Sequence, residues 1–133
     1  MIQMTENTLK SLLEKELFEL KSKKNVVRVC GPLTSGGFGY EINAERLSQA
    51  TKKLISKGYS VWNYETSEKY IKPLNLKWET IMEDFHIPIL RSGFIKKAFF
   101  IQNWESSNGA KVEYNQCRLL GIECELFPEE WFN

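Results

Sequence analysis

The sequence predicts a three-layer α/β/α sandwich, a single α/β domain built on a parallel sheet. Two observations predict this fold class. Short apolar or β-branched runs alternate along the chain with longer runs whose apolar residues recur every three or four positions, the order typical of α/β proteins. A glycine-rich segment and a polar segment follow two of the apolar runs, where open α/β sheets place their ligand-binding loops. We expect a flavodoxin/Rossmann-like sheet of four to five strands in the order 2-1-3-4 and an extra N-terminal helix.

The N-terminal half predicts a helix, a strand, a second helix and a second strand. Residues 5–24 carry one leucine stripe, which indicates an amphipathic helix on the domain's own core or, alternatively, at an oligomer contact. Residues 25–30 (NVVRVC) and 59–64 (YSVWNY) have the β-branched and aromatic content of strands. Residues 44–57 again show helical spacing, and Gly58 is a helix stop. This order is a right-handed βαβ unit with parallel strands.

The C-terminal half repeats the alternation. Residues 65–76 are polar and contain Pro73, so we predict a loop, with a lid over the site as the alternative. Residues 78–87 predict a short helix that Pro88 ends or kinks. The remaining elements are a strand at 97–102, a helix at 109–120 and a strand at 122–127.

The composition is that of an ordinary soluble protein with one domain over residues 1–133, of which 1–24 form the N-terminal helix. The net charge of +1 gives no argument for nucleic acid or an anionic membrane. No run approaches the roughly 18 apolar residues of a membrane-spanning helix, and no signal peptide is visible. Three cysteines without metal-like spacing indicate free thiols and a cytoplasmic protein. With His86 as the one histidine, expected to be a surface or structural residue, we predict no metal and no cofactor.

Two loops are predicted to meet at the edge of the sheet. Residues 31–40 (GPLTSGGFGY) let backbone N–H groups approach a ligand, although they match neither a P-loop nor the dinucleotide fingerprint. Residues 103–113 (NWESSNGAKVE) form a polar loop that enters a helix N-terminus. In the order 2-1-3-4, strands one and three are neighbours whose following helices lie on opposite faces, so these loops line the crevice. The candidate site residues are Gly31, Pro32, Gly37, Tyr40, Trp104, Ser107, Asn108, Gly109 and Glu113.

Several of these residues have both a chemical and a structural interpretation. Glu113 lies early in a helix, where the dipole favours a charged carboxylate, or it is an ordinary helix-face residue. Ser107 and the neighbouring N–H groups suit a phosphate, or Ser107 is only the helix N-cap. Trp104 is placed to stack on a base, and Tyr40 to bond a sugar or phosphate; packing is the alternative role for Tyr40.

The segments VCGPLTSGGFGY, GYSVWN and IQNWESSNGAKVE, with LLGI after them, resemble the nucleoside 2-deoxyribosyltransferase-like superfamily, especially its small DUF4406-type branch. The resemblance covers about residues 26–127. The branch closes with a Ser-x-Gly-Ala-x-x-Glu pattern, and the residues that fit the end of the motif in register are Trp104, Ser107, Gly109, Ala110 and Glu113.

The resemblance implies an N-glycosidase or 2-deoxyribosyltransferase acting on a nucleoside or nucleotide. In that family the motif glutamate attacks the anomeric carbon, a role that falls here to Glu113. The motif serine of related deoxynucleoside-monophosphate glycosidases contacts the 5′-phosphate, which implies that role for Ser107. The loop from Gly31 to Tyr40 would help enclose base and sugar. Family members associate around the site, so the resemblance also implies a homodimer or higher homo-oligomer.

One departure concerns the proton on the leaving base. The family's usual aspartate falls at or beside Lys96, where no acid stands, so Asp84 or Glu83 is the candidate donor and Lys96 is an alternative phosphate contact. The alternative function is a non-catalytic nucleotide-binding module of the same fold. A third is a protein-interaction domain that uses its N-terminal helix.

Overall fold

The computed structural model describes residues 2–32 and 39–132, without the side chains of residues 2–7, 65 and 66. The described residues form a parallel four-stranded sheet in the order β2-β1-β3-β4, so the predicted order 2-1-3-4 is confirmed. Helices cover both faces, as a three-layer α/β/α fold requires. The strands are β1 (Val26–Cys30), β2 (Ser60–Trp62), β3 (Ile95–Phe100) and β4 (Glu123–Leu126).

The helices follow the predicted alternation with two corrections. They are α1 (Ile2–Lys21), α2 (Tyr40–Ser56), α3 (Glu65–Ile71), α4 (Trp78–Ile81), α5 (Ile87–Arg91) and α6 (Asn108–Leu120). Single 3₁₀ turns lie at Lys72–Leu74, Trp104–Ser106 and Glu129–Phe132. No helix among the described residues has the combination of length and apolar character needed to cross a membrane.

The prediction of a loop at 65–76 is wrong, because helix α3 and a 3₁₀ turn occupy it. The segment buries Ser67 and Ile71 almost completely, so tertiary contacts rather than local polarity decide its conformation. The helix also does not end at Pro88, which was one of the two predicted effects of this proline. A π-helical segment, Met82–His86, joins α4 to α5, and Pro88 stands in the first turn of α5, where its missing N–H costs little.

Two apolar layers sandwich the sheet. Helix α2 and the C-terminal 3₁₀ turn cover one face, and α1, α5 and α6 cover the other. Helices α2 and α6, which follow β1 and β3, therefore lie on opposite faces, as predicted for the crevice. Leu9 and Leu20 of α1 are fully buried, which confirms that the leucine stripe packs on the domain's own core.

Strand β1 places a charged residue in the middle of the sheet. Successive side chains of a strand point to opposite faces, so Val27 and Val29 pack toward α2 while Arg28 and Cys30 face the layer of α1 and α6. Arg28 is aligned with Trp62 of β2. A cation in a central strand needs compensation from its neighbours, because burial of an unpaired charge is costly.

Candidate active site

A cavity of about 850 Å³ opens at the carboxyl ends of β1, β2 and β3. Its wall combines the end of β1, the start of α2, the residues after β2, helices α3 and α4, and the N-terminus of α6. This is the predicted crevice, although α3 and α4 contribute to it in addition to the two predicted loops. A volume of this size is within the range of small-molecule sites.

Most of the predicted site residues meet at this cavity. The residues that line it are Gly31, Tyr40, Ser107, Asn108, Gly109 and Glu113. Pro32 is buried directly after Gly31, next to the lining residues. Gly37 lies outside the described residues. Trp104 and Asp84 are not part of the wall.

Trp104 packs away from the cavity, between Phe100 and Tyr114, with ring centroids 5.1 and 4.7 Å away. Asp84 and Glu83 are exposed on the π-helical segment, and Lys96 is exposed on β3. The structure therefore brings neither of the two predicted proton donors to the cavity wall.

The N-terminus of α6 forms one side of the cavity. Ser107 is the N-cap, and its Oγ accepts a hydrogen bond of 3.1 Å from the Ala110 N–H. The capping role is thereby confirmed for Ser107, which also lines the cavity. Gly109 lies close to the start of the π-helical segment, because a Cβ built on it would be 3.3 Å from the terminal methyl of Met82.

Glu113 belongs to a buried polar cluster at the floor of the cavity. Its Oε2 lies 2.5 Å from Nη2 of Arg28, and the two side chains are only 10% and 4% exposed. The Cys30 thiol donates to the same oxygen over 3.3 Å. Glu113 is therefore a buried, salt-bridged residue rather than a solvated helix-face carboxylate.

Arg28 connects this carboxylate to the one histidine of the chain. Its Nη2 also lies 2.7 Å from Nδ1 of His86. A guanidinium can only donate, so Nδ1 accepts and the ring proton lies on Nε2. Burial and the charge of Arg28 hold the pKa of His86 well below its ordinary value, which keeps the ring neutral. Burial opposes the charge of Arg28, but Glu113 and Cys30 more than offset it, and the pKa of Arg28 is raised.

The guanidinium of Arg28 also packs over the indole of Trp62, with Cζ 4.5 Å from the ring centroid. Its Nε and Nη1 are buried and have no hydrogen-bond partner among the described residues. Buried donors of this kind are rare in folded proteins and mark places where a water or a ligand supplies the acceptor.

The thiols near the floor are protonated. Burial, and next to it the charge of Glu113, raise the pKa of Cys30 well above its ordinary value. Burial raises the pKa of Cys117 to about 12. Cys30 therefore acts in the cluster as a neutral hydrogen-bond donor and not as a thiolate nucleophile.

The rim of the cavity carries a second polar pair. The Tyr40 hydroxyl donates to Oε1 of Glu68 over 3.0 Å, and Nζ of Lys72 lies 4.9 Å from the Tyr40 ring centroid. Tyr64, between the rim and the floor, packs on His86 with ring centroids 4.5 Å apart. Burial raises the pKa of Tyr64, so its hydroxyl stays protonated.

The wall of the cavity is acidic. Among the described lining residues the charged side chains are one arginine, Arg28, and four glutamates, Glu41, Glu45, Glu68 and Glu113. Residues 33–38 (LTSGGF) contain no charged side chain that would change this balance.

Arg28, Trp62 and His86 were not among the predicted site residues. The one signal for Arg28 is its presence inside a β-branched strand, NVVRVC, where a charge is unexpected. His86 was expected to be a surface or structural residue; it is 6% exposed and lines the cavity.

Within residues 2–32 and 39–132 no group of three or more His, Cys, Asp or Glu side chains is arranged to hold a metal ion. Searches of curated proteins and of solved structures give no match to the chain. The model of the family described as a domain of unknown function, DUF4406, matches residues 25–125, which include β1 to β3, all but the last residue of β4, and every residue of the polar cluster at the cavity floor. The chain therefore belongs to the DUF4406 family.

Proposed function

We propose that the protein is an N-glycosidase or 2-deoxyribosyltransferase that acts on a nucleoside with Glu113 as the nucleophile. The observation that carries this proposal is the position of Glu113. This residue lines a ligand-sized cavity and is held there by a salt bridge to Arg28. The reaction class comes from the sequence resemblance to the nucleoside 2-deoxyribosyltransferase-like superfamily, whose motif glutamate corresponds to Glu113.

The proposed chemistry has two displacement steps at one carbon. A carboxylate oxygen of Glu113 attacks C1′ of the sugar, the C1′–N bond breaks, and its electron pair goes to the base nitrogen. Water or a second base then attacks C1′ and releases the carboxylate, which gives hydrolysis or transfer. Among the described residues the contacts of Glu113 all fall on Oε2, so we assign the attack to Oε1.

The leaving base needs a proton, and the cavity wall offers carboxyl groups that the sequence did not suggest. Besides Glu113 they are Glu41, Glu45 and Glu68, of which Glu68 alone is not exposed. We assign the proton transfer to Glu68, which is oriented by the Tyr40 hydroxyl. Glu68→Gln is expected to slow base release more for poor leaving bases than for good ones.

The charge of the cavity supports an uncharged nucleoside rather than a nucleotide. A 5′-phosphate adds about −1.5 to −2 charges at neutral pH to a wall with four glutamates and one arginine. The Oγ of Ser107 already accepts a hydrogen bond from the Ala110 N–H, so this N–H group at the start of α6 is not available to a phosphate. The phosphate contact that the resemblance implied for Ser107 is therefore not part of this proposal.

Base release tests the proposal directly. The protein is incubated with deoxynucleosides, ribonucleosides and their 5′-monophosphates, with and without an acceptor base, and free base is measured by chromatography. We expect release or exchange by the wild type and its loss in Glu113→Gln. Glu105→Gln is the matched control, because Glu105 is exposed and lies outside the cavity wall. Release that survives in Glu113→Gln would refute the role of Glu113.

A second candidate function is a non-catalytic nucleoside-binding module. The Oε2 atom of Glu113 already contacts Arg28 and Cys30. Asp84 lies outside the cavity wall, and position 96 holds a lysine instead of the family's proton-donating aspartate. A nucleoside that raises the thermal midpoint without any release of base would support this function over the catalytic one.

A further inference from the structure

We infer that Glu16, on the N-terminal helix, is a positioning residue of the cavity, which holds Trp62 in place and through Trp62 holds Arg28 against Glu113. The expected effect on kcat rests on the proposed function, whereas the expected effect on the stability of the Arg28 contacts does not. Helix α1 lies outside the residues that match the family, 25–125, so this support is additional to the family domain.

Glu16 is buried although it carries a carboxylate, with 8% of the residue exposed. Its Oε2 accepts a hydrogen bond of 2.9 Å from Nε1 of Trp62, and its Oε1 accepts one of 2.6 Å from Oγ of Ser67. None of the ion pairs among the described side chains includes Glu16. A buried carboxylate without a cation is costly, and it is tolerated here because both oxygens accept a hydrogen bond.

Both donors belong to the structure around the cavity. Trp62 ends β2 and lines the cavity, and its indole is the surface on which the Arg28 guanidinium packs. Ser67 lies in α3 and precedes Glu68, the partner of Tyr40 at the rim. The Glu16 side chain of α1 thus contacts one residue at the cavity floor, Trp62, and one next to the rim, Ser67.

The contact with Glu16 also acts on the electrostatics of the indole. A carboxylate that accepts the Nε1–H bond increases the electron density of the ring and therefore its attraction for a cation over its face. Arg28 is that cation, and the same guanidinium holds Glu113 and His86. The resulting series is Glu16, Trp62, Arg28 and Glu113, and it leads from α1 to the proposed nucleophile.

Glu16→Gln tests this series with a nearly isosteric change. The amide oxygen can still accept from Nε1 of Trp62 while its NH₂ group donates to Oγ of Ser67, so the substitution keeps the geometry and removes the negative charge behind the Trp62 N–H bond. Glu14→Gln on the same helix is the matched control, because Glu14 is exposed. We expect Glu16→Gln to lower kcat for base release about tenfold with a smaller change in KM, as for the loss of one desolvated cation–π contact, and Glu14→Gln to leave both unchanged.

A second measurement needs no substrate. The free energy of unfolding is measured for Arg28→Met in the wild-type, Glu16→Gln and Glu14→Gln backgrounds. If Glu16 acts on Arg28 through Trp62, the effects of Glu16→Gln and Arg28→Met are not additive, while those of Glu14→Gln and Arg28→Met are. The indole N–H resonance of Trp62 is expected to move in Glu16→Gln alone.

The outcomes separate the inference from the proposed function. Absence of base release in the wild type removes the enzyme proposal, and the non-additivity still decides the role of Glu16. Additive effects, or a Glu16→Gln variant with the kcat of Glu14→Gln, would overturn the inference. If Glu16→Gln does not fold, Trp62→Phe replaces it, since phenylalanine keeps a ring under Arg28 but has no N–H donor; an unchanged kcat in Trp62→Phe likewise counts against the inference.

Discussion

Replacing Arg28 with methionine would test the charge balance at the cavity floor. The substitution keeps an unbranched apolar stem but removes the cation that lies 2.5 Å from Glu113, whose side chain is 10% exposed. Removing one partner of a buried ion pair costs about 3–5 kcal/mol, because the other charge stays buried. His86 also loses the donor to Nδ1, although a neutral imidazole relieves part of this loss by changing its tautomer.

Arg46→Met is the matched control at a more exposed ion pair. Arg46 contacts Glu129 at 2.7 Å, a similar distance, but the two side chains are 22% and 42% exposed. Exposed pairs contribute up to about 1 kcal/mol, and the packing of Arg46 on the Phe132 ring adds a similar amount. We therefore expect Arg46→Met to cost less than about 2 kcal/mol, clearly below Arg28→Met.

A double variant separates lost charge balance from lost packing. Arg28→Met with Glu113→Leu removes both charges, and such apolar replacements of buried pairs are often neutral or stabilising by about 1–4 kcal/mol. The double variant should therefore be more stable than Arg28→Met alone. Urea unfolding followed by far-UV circular dichroism gives the free energies, provided that the m-values agree. The reasoning would be refuted if Arg28→Met lowered the free energy of unfolding no more than Arg46→Met does. It would also be refuted if the double variant were less stable than Arg28→Met.

Three further predictions concern pH, thiol reactivity and the glycines at the cavity. Because folding lowers the pKa of His86, the unfolded chain takes up a proton below about pH 6.5 that the folded chain does not, and the stability of the wild type should fall there by up to about 1.4 kcal/mol per pH unit. His86→Gln should lack this contribution, so the difference in unfolding free energy between the two proteins should change with pH, and parallel profiles from pH 5 to 7 would contradict the prediction. Iodoacetamide should label Cys124, which is partly exposed, before the buried Cys30, as judged by mass spectrometry at low conversion, and equal rates would contradict the burial of the floor. Gly31→Ala should cost about 1–3 kcal/mol, because its Cβ would lie 3.1 Å from the Cβ of the isoleucine after β3. Gly109→Ala should change stability by less than about 1 kcal/mol, because the flexible end of a methionine faces it; the reverse order in thermal unfolding would show that the close approach is misplaced.

The fold was predictable because its signals are local. Strand and helix periodicity predicted the alternating elements, and the order 2-1-3-4, expected for a flavodoxin-like sheet and confirmed here, placed the crevice. The misses occurred where long-range contacts decide the conformation. The polar segment 65–71 is helical because Ser67 and Ile71 are buried against the rest of the domain. Ser67 donates a hydrogen bond to Glu16, 51 positions earlier in the chain.

The chemistry of the site was less predictable than its location. Glu113, Ser107 and Gly109 carry a recognisable spacing within one segment, and all three line the cavity. The cluster around Arg28 has no such spacing, because its contact with His86 spans 58 positions. The family pattern predicts an acid at or beside Lys96, whereas the cavity-wall carboxylate Glu68 lies on α3.

The energetics of Arg28 favour a functional explanation for the cluster. A buried ion pair is weak evidence for stability, since apolar residues of similar size usually do as well or better. A chain selected for stability alone would have no need of an arginine in its central strand, nor of Glu16 and Trp62 to support it. These residues instead surround the floor of the cavity at the switch point of the sheet, where α/β proteins bind their ligands. Within the part of the chain that the structure describes, Nε and Nη1 of Arg28 also have no acceptor, as expected of a site that its ligand completes.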